Sequence, residues 1–174
     1  MSESETSETD AEQDFLELVD GSQGVIMATV DETGEPEASY APFVRDEGLR
    51  FYVYLSELAR HTNNLLVTGK ASLLWLGEES NGGNPFARRR LVLRCGATRV
   101  DRDCAEWASA VARLQQRFGG TMALLRQLGD FHLFRLQALA GTYVLGFGRA
   151  YTLSGECLAT MQLSRGVDKS ENRS

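Results

Sequence analysis

Two adjacent bases, Arg60 and His61, stand in the segment LARHTNNL (58–65), whose apolar spacing predicts a helix. His61 lies three residues after Leu58 and four before Leu65, at the edge of the apolar face. In an opening helical turn, unbonded backbone N–H groups and the helix dipole favour negative charge, so this pair would hold a phosphate or carboxylate. The plainer alternative is a partly buried histidine that serves packing alone. A second set is Arg88, Arg90 and Arg94, which on a strand project from one face, opposite Leu91, Leu93 and Cys95. Guanidinium groups so arranged are either solvated or paired with an anion, and their planar fork suits carboxylate and phosphate. A third is GFGRAY (146–151). Its alternate glycines suit close approach of a flat ring or another backbone, but it lacks the third glycine and the strand–turn–helix setting of a dinucleotide fingerprint. His132, beside Asp130 at a turn into a strand, reads as structural. No Ser/His/Asp or Cys/His nucleophile set is present. A hydrolase is therefore disfavoured, and any redox chemistry is expected from a bound cofactor.

These groups need elements to hold them. GVIMATV (24–30) predicts a strand ending at the turn signal DETG (31–34), and residues 37–44 return as a second strand in which Pro42 demands an edge or a bulge. After the turn at 46–48, residues 49–55 alternate as a third strand. Ser56 is a candidate cap for a helix to about residue 67, with Gly69 as its stop. Strands are expected over 71–76 and 88–100, with a glycine-rich loop over 78–85 between them. Asp103 and Glu106 form a capping-box pattern before a helix with apolar residues at 107, 111, 114 and 118. A short helix over 121–128 and strands over 131–136 and 142–153 complete the chain. Tight antiparallel hairpins without a βαβ rhythm predict a small antiparallel barrel decorated by helices.

The composition limits the possibilities further. The chain has 174 residues, 43% hydrophobic and 24% charged, enough for one ordinary domain core. The net charge of −6 comes entirely from acids within the first 14 residues, read as a disordered solubilising tail before a domain spanning 15–174. The body is then neutral, so neither nucleic acid nor a membrane is expected as partner. Cys95, Cys104 and Cys157 form no metal-binding or disulfide pattern, and no secretory leader or membrane-length apolar run appears, which points to the cytoplasm.

Five blocks in order carry a family resemblance: PEASYAPFV (36–44), LARHTNNL (58–65), NPFARRRL (84–91), LRQLGDFHLFRL (125–136) and GFGRAY (146–151). Together they resemble the haem-utilisation, haem-degrading branch of the pyridoxamine 5′-phosphate oxidase-like, FMN-binding split-barrel superfamily. The resemblance implies a mainly β, α+β fold: an antiparallel six-stranded split β-barrel of Greek-key type. It further implies a homodimer with cofactor clefts at the subunit interface, the cofactor being haem or FMN. Arg60 and His61 fall on the family's basic pair for the flavin phosphate, where the second residue is usually Lys. Arg88 and Arg90 would meet haem propionates or a flavin phosphate, Tyr40 and Phe147 would pack on the planar ring, and Asp130 stands at the family's acid. Haem-degrading relatives ligate iron through a C-terminal histidine, and here no histidine follows His132. A bound haem would thus use another axial ligand, or turnover is lost. The resulting expectation is a protein supporting redox chemistry of haem or flavin, with an FMN-dependent oxidoreductase and a non-catalytic carrier as alternatives. No residue identifies an electron donor or a metal site.

Overall fold

Two aspartates close the first two hairpins of the computed structural model, which describes residues 8–78, 84–155, 158 and 160–164. The Asp31 carboxylate accepts the N–H groups of Thr33 and Glu35, both at 2.9 Å, joining β1 (Gly24–Val30) to β2 (Pro36–Arg45). Asp46 accepts from the backbone of Gly48 and Arg50 in the same manner and leads into β3 (Arg50–Ser56). β2 pairs with β1 from Pro36 to Pro42 and with β3 from Phe43 onward. Pro42, having no N–H to donate, therefore stands where the strand changes neighbours.

Helix α2 (Arg60–Thr68) ends at Gly69, whose φ of 61° and N–H bond to Leu65 terminate it as expected. Its start differs from expectation. Ala59 is the N-cap residue, while the Ser56 hydroxyl donates to Asp130 at 2.7 Å and accepts the Leu58 N–H. β4 (Lys70–Leu76) follows, then a short 3₁₀ turn (Pro85–Ala87) and β5 (Arg90–Val100). Residues 79–83 of the expected glycine-rich loop lie outside the described residues. The capping box does not form at α3 (Ala105–Phe118). Asp103 adopts a φ of 69°, Cys104 caps by accepting the Trp107 N–H on Sγ, and Glu106 turns instead to Arg135 at 2.9 Å and the Tyr52 hydroxyl at 3.0 Å. Helix α4 (Gly120–Leu125) then leads to β6 (Phe131–Gly146), β7 (Arg149–Ser154) and β8 (Thr160–Leu163).

Strand order is β3-β2-β1-β4-β5-β6-β7-β8, and β3 also pairs with β6. Strands β1–β6 thereby close a six-stranded antiparallel Greek-key barrel, and β7–β8 extend its β6 side. The strand expected over 142–153 is divided: residues 142–146 continue β6, and residues from Arg149 onward form β7. β6 runs unbroken through Gly141, where an added Cβ would meet the Val92 carbonyl at 2.7 Å and Leu93 at 2.5 Å. Gly141 is thus a close-packing position rather than a break. Gly141→Ala should cost about 1–3 kcal/mol in urea unfolding, because a backbone oxygen cannot step aside.

The barrel is filled by Met27, Phe43, Phe51, Leu73, Trp75, Leu91, Leu93 and Phe134. Helix α1 (Glu8–Asp20) contributes Ala11, Phe15, Leu18 and Val19 to this core. It begins at Glu8, so residues 8–14, expected in the tail, are helical; Asp14 accepts from the Tyr143 hydroxyl and from Arg89 at 2.9 Å. A second apolar layer, including Val44, Tyr52, Tyr54, Val111 and Leu114, packs α3 on the outside of β3 and β6. No helix among the described residues is long and apolar enough to cross a membrane.

Candidate functional site at the helix mouth and outer sheet

α2 packs on β1 through a buried hydrogen bond from Asn64 Nδ2 to Thr29 Oγ1 at 3.0 Å, which fixes its opening turn at one rim of the barrel. Arg60 and His61 are the first two residues of that turn, as the sequence indicated. Arg60 reaches Glu37 of β2 at 3.3 Å, and Glu37 lies opposite Thr29 in the β1–β2 register. His61 is half-buried; burial lowers its proton affinity below the ordinary histidine range, with Glu37 pulling weakly the other way. The mouth therefore holds one guanidinium countered by one carboxylate, beside an imidazole that favours its neutral form. Glu37 could not be singled out from sequence, since only strand register brings it to the helix.

Asp130 belongs to the same rim. Its carboxylate accepts from Ser56 and its carbonyl from the Glu57 N–H at 2.8 Å, tying the start of β6 to the turn that precedes α2. His132 pairs with Glu57 at 2.6 Å, in keeping with the structural reading.

The expected arginine stripe is only partly assembled. Arg88 precedes β5 and donates from Nε to the Gly77 carbonyl, while Arg90 donates to the carbonyls of Phe86 and Arg88. Arg90 and Arg94 share the outward face of β5, about 13 Å apart by strand rise. Register puts Arg90 opposite Leu76, at the far end of β4, whereas Ala71 near its start pairs with Thr29 beside α2. Arg88 and Arg90 thus lie at the opposite end of one chain's barrel from Arg60 and His61. Phe147, 80% exposed in the β6–β7 turn, belongs to the Arg90 end.

Between these ends the outward face of the sheet carries an apolar row. Tyr40, Ile26, Leu74, Val92 and Thr142 are successive cross-strand partners. Tyr40 is 62% exposed, and its ring lies over Gly24, where a Cβ would be 2.2 Å from ring atoms. Alongside the row runs an open, mostly apolar groove of about 550 Å³, lined by residues including Ala28, Val30, Pro36, Ala140 and Leu139, with Arg94 and Lys70 as its cations. An apolar floor with basic groups suits a flat ligand bearing acidic substituents. Of the groove's two cations, Arg94 was expected from the stripe, and Lys70 is the one that strand facing, not motif, reveals. On the barrel's other side a cleft of similar size between β3 and α3 holds two ion pairs, Arg135 with Glu106 and Arg50 with Asp46, along with Glu47 and Arg113. There the Tyr52 hydroxyl is pushed up to about 12 by burial and by Glu106. Among the described residues no cluster of His, Cys, Asp and Glu could hold a metal ion, and Cys95 and Cys104 are free thiols; Cys157 lies outside those residues.

The closed barrel and its helix mouth define a split barrel of the oxidase type, and the family described as pyridoxamine 5′-phosphate oxidase matches residues 9–145. HutZ of Vibrio cholerae, named a heme oxygenase, is 42% identical over 148 residues, 84% of this chain and 83% of its own length. A crystal structure of HutZ, there called a heme storage protein, matches with a TM-score of 0.68 at 38% identity over 74% of this chain and 89% of the other. ChuZ of Campylobacter jejuni matches with a TM-score of 0.77 at 30% identity, covering 88% of this chain and 63% of that one. The chain belongs to the haem-utilisation branch of the pyridoxamine 5′-phosphate oxidase-like split-barrel superfamily.

Proposed function

We propose that this protein binds haem in a cleft between two copies of the chain and supports oxidative breakdown of that haem. The observation that carries the reading is the apolar groove with Arg94 and Lys70, on an outer sheet face whose central row no element covers among the described residues. Contiguous exposed apolar surface of this kind marks an interaction site. A second copy related by a two-fold axis would bury the row of Tyr40, Ile26, Leu74 and Val92. It would also bring the Arg88, Arg90 and Phe147 end of one copy toward the Arg60 and His61 end of the other. This is how residues separated within one barrel would serve a single ligand.

Haem, when bound, supplies the redox-active iron. The chain's residues supply the rest: Arg94, Lys70, Arg88 and Arg90 hold the ligand's carboxylates, Tyr40 and Phe147 pack on its ring, and the apolar row excludes water. Asp130, whose carboxylate accepts from the Ser56 hydroxyl, takes the catalytic role in this reading, as the side chain oriented toward the ligand at this rim. Free thiols at Cys95 and Cys104 accord with a cytoplasmic setting. HutZ is described both as an oxygenase and as a storage protein, so retention of haem without turnover is the second form of this reading. FMN is the rival ligand, favoured by the base pair opening α2; Glu37 opposes it, because it neutralises Arg60 where a phosphate would sit.

Adding haemin to the purified protein should produce a Soret shift that saturates at one haem per chain or per dimer, with no comparable response to FMN. A flat haemin titration would sink the reading. Supplying a reductant and oxygen then separates the two forms, since oxidative breakdown yields a bile pigment and a carrier yields none.

A further inference from the structure

β6 carries a β-bulge against β5. Arg94 pairs with Ala140 and Cys95 with Ala138, so Leu139 is an extra residue with no partner in the ladder. The bulge changes the facing of the strand. Phe134, Leu136 and Ala138 point into the barrel before it and Tyr143 does so after it, which leaves both Leu139 and Ala140 on the outer face. Both line the apolar groove. Leu139 is 61% exposed and reaches β5, its Cδ1 3.7 Å from where a Cβ on Gly96 would stand. Gly96 is the register partner of Lys70, so this leucine forms an apolar wall beside one of the groove's two cations.

The cations themselves are placed as a pair. Lys70 and Arg94 are diagonal neighbours on β4 and β5, about 7–8 Å apart at the backbone. Both are exposed, and among the described residues neither side chain has a hydrogen bond or an ion pair. Arg60, Arg89 and Arg135, by contrast, each meet a carboxylate of their own chain. Around the pair the lining is small or apolar: Ala28 pairs with Ser72, Ser72 with Arg94, and Arg94 with Ala140 across four adjacent strands. Two unbalanced cations over such a floor complement a flat apolar body that carries two carboxylates on one edge. The tetrapyrrole of haem has that form.

We propose that Leu139 is the specificity-determining side chain of this groove: it packs on the tetrapyrrole while Lys70 and Arg94 clamp the two carboxylates, so that recognition does not require the iron. The assignment rests on the haem reading above. Haemin, iron-free protoporphyrin IX and its dimethyl ester are titrated into the full-length wild type, Leu139→Ala, Leu139→Met, Leu139→Asp and the double variant Lys70→Met/Arg94→Met. Absorbance and porphyrin fluorescence read binding, and sedimentation velocity reads assembly. Protoporphyrin IX should bind comparably to haemin, and the dimethyl ester about tenfold more weakly. Leu139→Ala should weaken both free acids about tenfold, Leu139→Asp should weaken them further, and Leu139→Met should keep the wild-type affinities. The double variant should lose affinity for the free acids and not for the ester. Wild-type affinities in Leu139→Ala and Leu139→Asp would overturn the assignment and leave haem binding standing. So would a wild type that binds haemin and ignores protoporphyrin IX, or one that binds ester and acid equally. Loss of assembly together with binding in the Leu139 variants would make this leucine an interface residue and overturn its role toward the ligand. No response of the wild type to haemin would remove the haem reading and this assignment together.

Discussion

Leu74→Asp is expected to turn the proposed dimer into a monomer and to abolish haemin binding while leaving the barrel folded. Leu74 occupies the centre of the outward row, between Ile26 and Val92, and its side chain faces away from Leu73 and Trp75 in the core. In an isolated chain the new carboxylate would be solvated, so folding should barely change. In a two-fold assembly each residue appears twice, and both carboxylates would be buried without partners. Desolvation of the pair should cost about 4 kcal/mol in all, or roughly a thousandfold in association. Sedimentation velocity reads the assembly, circular dichroism the fold, and the Soret band the ligand. A dimer that persists with Leu74→Asp would show that the outer sheet face is not the interface. A monomer that still binds haemin normally would place the cleft within one chain.

Trp75→Ala should cost about 3–5 kcal/mol, a large part of the stability of a domain this size. Trp75 is 2% exposed, and its ring lies 5.5 Å from Phe43 and 5.1 Å from Phe51, so truncation empties the middle of the barrel. Its indole N–H is buried without a hydrogen-bond partner among the described residues, so the loss is chiefly one of packing. Trp75→Phe, which keeps one aromatic ring in the core and discards the orphaned donor, should lose less. Urea midpoints at unchanged slope decide this, and equal losses for the two variants would contradict the packing account.

The barrel's first half was legible because its signals are local. The aspartate turns at 31 and 46, the alternation of 49–55 and Gly69 each fix a backbone geometry from a few neighbouring residues. What failed was whatever a distant residue overrode. Ser56 has the chemistry of a helix cap, but Asp130 takes its hydroxyl; Glu106 has the chemistry of a capping box, but Arg135 and Tyr52 take its carboxylate. Residues 137–141 fell between two expected strands because a sequence does not show the Val92 carbonyl against which Gly141 packs. The tail was drawn too long because the acids at 8–14 suggest a solvated segment, whereas Asp14 has Arg89 and Tyr143 to meet. The site followed the same rule: Arg60 and His61 were recognisable from their place on a helix and Arg94 from strand alternation, while Glu37 and Lys70 became meaningful only through register and facing.

The seam between β3 and β6 runs from Ser56 with Phe131 to Arg50 with Gln137, so the barrel is sealed by residues far apart in the chain. Everything from α2 to α4 lies in the loop that this pairing closes, and loop entropy must be overcome before the seam repays it. The hairpins of β1, β2 and β3 can form early, but zipping β6 onto β3 belongs to the late, rate-limiting part of refolding. Substitutions along that seam, or in the hairpins formed before it, should therefore slow the return from denaturant, while those in elements that dock afterwards chiefly hasten unfolding.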